Sequence, residues 1–176
     1  MVFNETKLKG AFTIELERFE DERGFFAHSW SAKRFAERGL ISRLVECGIS
    51  FNQKRGTLRG MHYQAAPHGQ AKVVRCTMGA LYDVIIDLRA GSPTFKQWVG
   101  VELTADNRRM LYIPKDFAHG FQTLEDETEV FYQMSEIYVP ESSRGVRWND
   151  PAVDISWPET VTVMNERDRM YPDFDW

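Results

Sequence analysis

The sequence predicts an all-β fold, a double-sheet jelly roll with short peripheral helices. Three observations predict it. Short apolar runs recur at roughly ten-residue spacing with turn residues between them, the pattern of a sandwich or closed barrel. Aromatic residues make up 13% of the chain and are spread among those runs, which suits pleated, half-buried surfaces better than a helical bundle. The connections are too short to hold the crossover helices that a parallel sheet needs. A chain of 176 residues forms one domain, 1–176, with a real hydrophobic core.

The first predicted element is a short helix over 31–38, with Ser31 as its N-cap and Gly39 as its stop. Strands follow over 71–77, closed by a turn at Met78-Gly79, and over 81–88, closed by Arg89-Ala90-Gly91-Ser92-Pro93. The next runs over 95–103 and ends at Ala105-Asp106-Asn107. Pro114 stops a strand over 110–113, and 120–124 and 129–139 complete the series. The stretch 148–176 is rich in Pro and Asp and reads as irregular chain with a short helix.

The formal charge of −4 provides no basic field for nucleic acid, so no nucleic-acid partner is expected. A local cluster of Arg and Lys still suffices to hold one diphosphate. No run approaches the ~18 apolar residues of a membrane span, and residues 1–10 lack the apolar region of a secretion signal. The expected location is the cytoplasm, with no membrane partner. Cys47 and Cys76 form no C-x-x-C pair and are expected to be buried free thiols in a reducing compartment.

Two of the four histidines stand in loaded contexts. His62 lies in Gly56-Thr57-Leu58-Arg59-Gly60-Met61-His62-Tyr63-Gln64, and His119 in Ile113-Pro114-Lys115-Asp116-Phe117-Ala118-His119-Gly120-Phe121. No H-x-H pair occurs, and two histidines are a thin ligand set, so neither a metal nor another cofactor is expected. Acid–base chemistry is the alternative. A neutral imidazole is a competent base near neutral pH, the more so when a carboxylate orients its other nitrogen. Several Asp could do this, and on spacing alone a structural histidine is equally consistent.

A cationic set, Arg23, Arg59, Lys72 and Arg75, accompanies the histidines. Lys72 follows His62 where an adjacent antiparallel strand is expected to return. Alternation puts Lys72, Val74 and Cys76 on one face and Val73, Arg75 and Thr77 on the other. A lysine in such an apolar run is costly unless an anion pairs with it, such as a ligand phosphate or an enolate oxygen. Snorkelling from an edge strand is the alternative. Tyr132 shares a face with Val130 and reads, unaided, as core or rim.

Several motifs occur in a fixed order: Asp21-Glu22-Arg23-Gly24-Phe25-Phe26, Gly56 to Gln64, Lys72-Val73-Val74-Arg75-Cys76, Asp83 to Arg89, Ser92-Pro93-Thr94, Ile113 to Phe121 and Trp148-Asn149-Asp150-Pro151. Together they resemble the dTDP-4-dehydrorhamnose 3,5-epimerase family, over residues 12–168. The resemblance implies a cupin-type jelly roll, a homodimer, no metal, and a nucleotide-linked 4-keto-6-deoxyhexose as substrate. It also implies roles. His62 matches the base, Asp168 the carboxylate paired with it, and Tyr132 the acid on the opposite face of the sugar. Lys72 matches the cation near the keto oxygen, and His119 a substrate contact. Arg23 and Arg59 match residues that grip the diphosphate, and Tyr138 an aromatic that stacks on the nucleobase. Arg167, beside Asp168, joins the expected substrate-binding set.

The chain departs from the family pattern where the base is read. Many relatives carry Gln-x-Asn-x-Ser, whereas this chain has Glu46-Cys47-Gly48-Ile49-Ser50, retaining only Ser50. His28 stands where the family has Glu. A lost amide removes paired hydrogen bonds, and Glu46 could accept one from an exocyclic amine such as that of cytosine. A preference for CDP-linked or other sugars is therefore an open alternative to dTDP. Inversion at C3 or C5 alone is another, and so is binding without catalysis. Retention of His62, Tyr132 and Asp168 together argues against the last.

Overall fold

The structure is a computed structural model describing residues 1–174. Its elements in chain order begin with β1 (Val2–Glu5), β2 (Phe12–Glu15), β3 (Phe19–Asp21), β4 (Gly24–Phe26) and the helix α1 (Ala32–Ala36). Then come β5 (Glu46–Asn52), β6 (Leu58–Gln64), β7 (Lys72–Met78), β8 (Ala80–Asp87), β9 (Trp98–Thr104), β10 (Met110–Ile113), β11 (Phe117–Thr123) and β12 (Thr128–Met134). A 3-10 turn over Pro140–Ser142, β13 (Ser143–Gly145) and the helix α2 (Glu166–Arg169) close the chain.

Two antiparallel sheets face each other, in the order β1-β2-β10-β7-β12-β5 and β13-β6-β11-β8-β9, and β3 and β4 form a separate hairpin. This is the cupin-type double-sheet jelly roll that the sequence predicts. Alternation along each strand builds the core between the sheets: Val74, Cys76 and Val130 meet Leu81, Ile85, Leu103, Phe117 and Phe121. Outer faces are covered too. Val73, Met110 and Tyr112 pack with Ile14 and Phe35 of α1, and Val84, Ile86 and Ala118 pack under Val146, Val153 and Ile155. That double cover makes β8 and β11 buried almost throughout.

The predicted helix is present but shorter. Ser31 Oγ accepts the Arg34 N–H at 3.4 Å, and Gly39 ends the segment at φ +68°. β9 starts at Trp98 because the residues before it close turns onto Ser92 and Thr94. β11 begins earlier than predicted, at Phe117, and β12 ends earlier, at Met134. The predicted short C-terminal helix is α2; Asp175 and Trp176, which end the 148–176 stretch, lie outside the described residues.

Three expectations are corrected. β7 is not the neighbour of β6: the chain crosses between them to the facing sheet. β7 runs between β10 and β12, so Lys72 does not snorkel from a sheet edge. Cys76 is buried, but Cys47 is exposed, because it occupies an outward position of the edge strand β5.

Candidate active site

The open end of the sandwich holds a cavity of about 390 Å³. Its walls come from both sheets: Arg59, His62 and His119 on one side, Lys72, Tyr132 and Ser50 on the other.

A bulge brings Arg59 and His62 to the same face. β6 pairs with β11 through His62↔His119 and Arg59↔Phe121, so Gly60 and Met61 both stand opposite Gly120. In a regular strand the three-residue spacing would send Arg59 and His62 to opposite faces. Only glycine fits this crossing. Gly60 has φ +138°, and a Cβ there would lie 2.5 Å from Gly120 Cα. A Cβ on Gly120 would meet Arg59 O at 2.7 Å.

Asp168 fastens this arrangement from behind. Its own N–H is held at 2.7 Å by Asn165, the N-cap of α2. Asp168 Oδ2 accepts the Gly60 N–H at 3.0 Å, and Oδ1 lies 2.6 Å from His62 Nε2. Asp168 is wholly buried, while the His62 side chain is 37% exposed towards the cavity. A proton on Nε2 shared with this carboxylate leaves the Nδ1 lone pair as the basic site.

A second His–Asp pair lies next to the first. His119 Nε2 is 2.5 Å from Asp83 Oδ1, and both residues are buried. Burial holds the His119 pKa below its ordinary value. Lys72 enters from the facing sheet, and burial lowers its pKa to about 8 although the Asp83 charge opposes the shift. The Tyr132 ring meets that of His119 edge to face at 6.1 Å. Burial, and then the Asp83 charge, push the Tyr132 phenol far above its ordinary value, against the pull of Arg59 and Ser50. It is therefore a protonated phenol at any physiological pH.

At the mouth, Arg59 Nε donates to Asn52 Oδ1 at 2.7 Å, which aims the guanidinium along the cavity. Arg167 Nη2 donates to Ser143 Oγ at 2.7 Å. Hydrogen bonds with Ser143 and Arg167 lower the Tyr138 pKa.

Of the residues singled out in the sequence, Ser50, Arg59, His62, Lys72, His119, Tyr132, Tyr138 and Arg167 line one cavity, with Asp168 directly behind His62. Glu46 stands off its lining, with Oε2 accepting the Tyr138 N–H at 3.2 Å. Arg23 and His28 are not brought there at all. Both are exposed, Arg23 on the β3–β4 hairpin in an ion pair with Asp21 and His28 just beyond it against Phe26. Sequence reasoning passed over Asp83 and Ser143. Asp83 was discoverable, since it shares the inward face of an apolar run with Leu81 and Ile85, the argument that exposes Lys72. Among the described residues no three His, Cys, Asp or Glu side chains converge as a metal-binding group.

Residues 5–175 match the family model described as dTDP-4-dehydrorhamnose 3,5-epimerase. The chain is 42% identical to the dTDP-4-dehydrorhamnose 3,5-epimerase of Shigella flexneri over 93% of its own length and 90% of that protein. It superposes on the crystal structure of the enzyme of that name from Elizabethkingia anophelis with a TM-score of 0.95, at 40% identity, covering 99% and 96% of the two chains. The Bacillus anthracis enzyme, solved with TDP and PPi bound, is 42% identical with a TM-score of 0.93, covering 98% and 99%.

Proposed function

The chain belongs to the dTDP-4-dehydrorhamnose 3,5-epimerase family, and on that premise we propose that it inverts C3 and C5 of a dTDP-linked 4-keto-6-deoxyhexose by proton transfer through an enolate. One observation carries the reading: His62 and Tyr132 rise from facing sheets onto one cavity. A sugar ring lying between them has a base on one face and an acid on the other. His62, oriented by Asp168, removes the proton next to the ketone. The electron pair moves onto the keto oxygen, and Lys72 stabilises the negative charge there. Tyr132 then delivers its proton to the same carbon from the opposite face, which inverts the centre; His62 gives its proton to solvent and the Tyr132 phenolate takes one back before the second carbon is treated in the same way. Each placed proton-transfer group contributes roughly 10²–10⁴-fold.

Arg59, held by Asn52, grips the diphosphate through its planar fork. Arg167 assists at the mouth, His119 contacts the sugar, and Tyr138 stacks on the base beside Ser50. Glu46 bonds the Tyr138 N–H through Oε2, and calorimetry with dTDP and CDP tests its part in choosing thymine over cytosine. A clear preference for CDP would change the assigned nucleotide and leave the chemistry intact.

Arg23 and His28 serve the site of a second copy. Support comes from their exposure on and just beyond a hairpin away from the cavity of their own chain, together with the apolar Ile49 and Phe51 exposed on the edge strand β5. The working form is a cytoplasmic homodimer. The test is product stereochemistry: wild type should convert the 4-keto sugar to its epimer, and His62→Ala should lose the conversion. Full conversion by His62→Ala would refute the assigned base.

A further inference from the structure

Asp83 is wholly buried in the middle of β8, next to the His119 that lines the cavity. One oxygen meets His119 Nε2, while Oδ2 has no hydrogen-bond partner among the described residues. Lys72, on the facing sheet, lines the same cavity as His119, and the Asp83 charge acts on it from beside that ring. A carboxylate or an ammonium alone in such a place is strongly disfavoured, whereas a pair of opposite sign is tolerated. Resting on the epimerase reading, we propose that Asp83 is a positioning residue: its carboxylate is the counter-ion that keeps Lys72 an ammonium for the substrate's keto oxygen, and it anchors the His119 ring beside that ammonium.

The surroundings of Lys72 leave this task to Asp83. Lining the cavity with it are His119 of β11, His62 and Arg59 of β6, and Tyr132 of β12, with Tyr138 and Arg167 at the rim; Glu46 of β5 stands off that lining. β10 presents Leu111 and Ile113 to the core, which carry no charge. Asp168 lies behind His62, bonded to its ring and to the Gly60 N–H, and Glu46 bonds the Tyr138 N–H. Asp83 is the acid whose charge acts on Lys72. His119, which burial keeps neutral, adds no competing positive charge.

The test is Asp83→Asn, which keeps the shape and removes the charge. In wild type, kcat should fall as pH rises through about 8, where Lys72 loses its proton. In the variant that fall should begin at least about one pH unit lower, roughly a tenfold loss on the alkaline side, with KM little changed. A merely structural role would lower the rate and leave the position of the fall unmoved, and coincident pH profiles would overturn the proposal. Should Asp83→Asn fail to fold, two NMR titrations of ligand-free wild type decide. With labelled lysine, the signal missing from Lys72→Gln should titrate near 8; a midpoint below about 7, which leaves Lys72 neutral in the working range, overturns the proposal. The His119 ring should carry its proton on Nε2, and a proton on Nδ1 overturns it. Neither titration needs substrate, so both stand even if the wild type epimerises nothing.

Discussion

The two oxygens of Asp168 serve two different functions, and substitution can separate them. Oδ1 meets the His62 ring, the base of the proposed mechanism, and Oδ2 holds the Gly60 N–H of the bulge that aims Arg59. Asp168→Asn keeps an oxygen for Gly60 and loses the charge beside His62. Its kcat should fall roughly 10²–10⁴-fold with KM little altered. Asp168→Ala loses both contacts and should also raise KM; equal KM effects in the two variants would contradict this division, as steady-state kinetics will show. Tyr132→Phe removes the acid alone. It should abolish inversion while His62 still exchanges the proton with solvent, which a deuterium-washout experiment detects. These partners were only half legible in the sequence. His62 and Asp168 are more than a hundred residues apart, and no local pattern links them; the family resemblance did. Asp83 could have been read locally, as an acid facing inward from an apolar strand.

At the scale of elements, the bulge in β6 decides whether a site exists. Gly60→Ala puts a Cβ against the Gly120 backbone at 2.5 Å, at a φ of +138°. We expect about 2–4 kcal/mol of lost stability in denaturant unfolding, with nucleotide binding weakened as well. The small helix α2 is the second such element. Asn165→Ala removes its N-cap, which costs about 1 kcal/mol, and the kcat loss should exceed what that destabilisation explains because Asp168 hangs from the cap. Strand periodicity made the run from β7 to β12 readable, since each strand there is apolar inward and bounded by turn residues. It could not reveal the bulge, whose extra residue breaks the very alternation being read. Nor could it assign β6 and β7 to different sheets, because a crossing between sheets and a hairpin leave the same local pattern. The strands β1 to β4 are only three or four residues long, with β3 and β4 exposed throughout, and offer little periodicity to find.

At the scale of the molecule, one chain carries an incomplete set of the expected diphosphate contacts. Arg23 lies outside the cavity that Arg59 lines. If a second copy supplies it, two inactive variants should repair each other. Mixing Arg23→Ala with His62→Ala should regenerate activity, because one hybrid site then has both residues intact. Absence of recovery after subunit exchange would place Arg23 outside the working site. The proposed dimer would use β5 as its interface. Ile49 and Phe51 are 65% and 45% exposed, so Ile49→Asp with Phe51→Asp should yield a monomer by light scattering.

The most direct measurement of the central claim is proton NMR of the dTDP-linked 4-keto-6-deoxyglucose incubated with the protein in D₂O. A His base and a Tyr acid on opposite walls predict deuterium at both C3 and C5 together with inverted coupling patterns. Unexchanged substrate, under conditions where dTDP binds, would contradict the account.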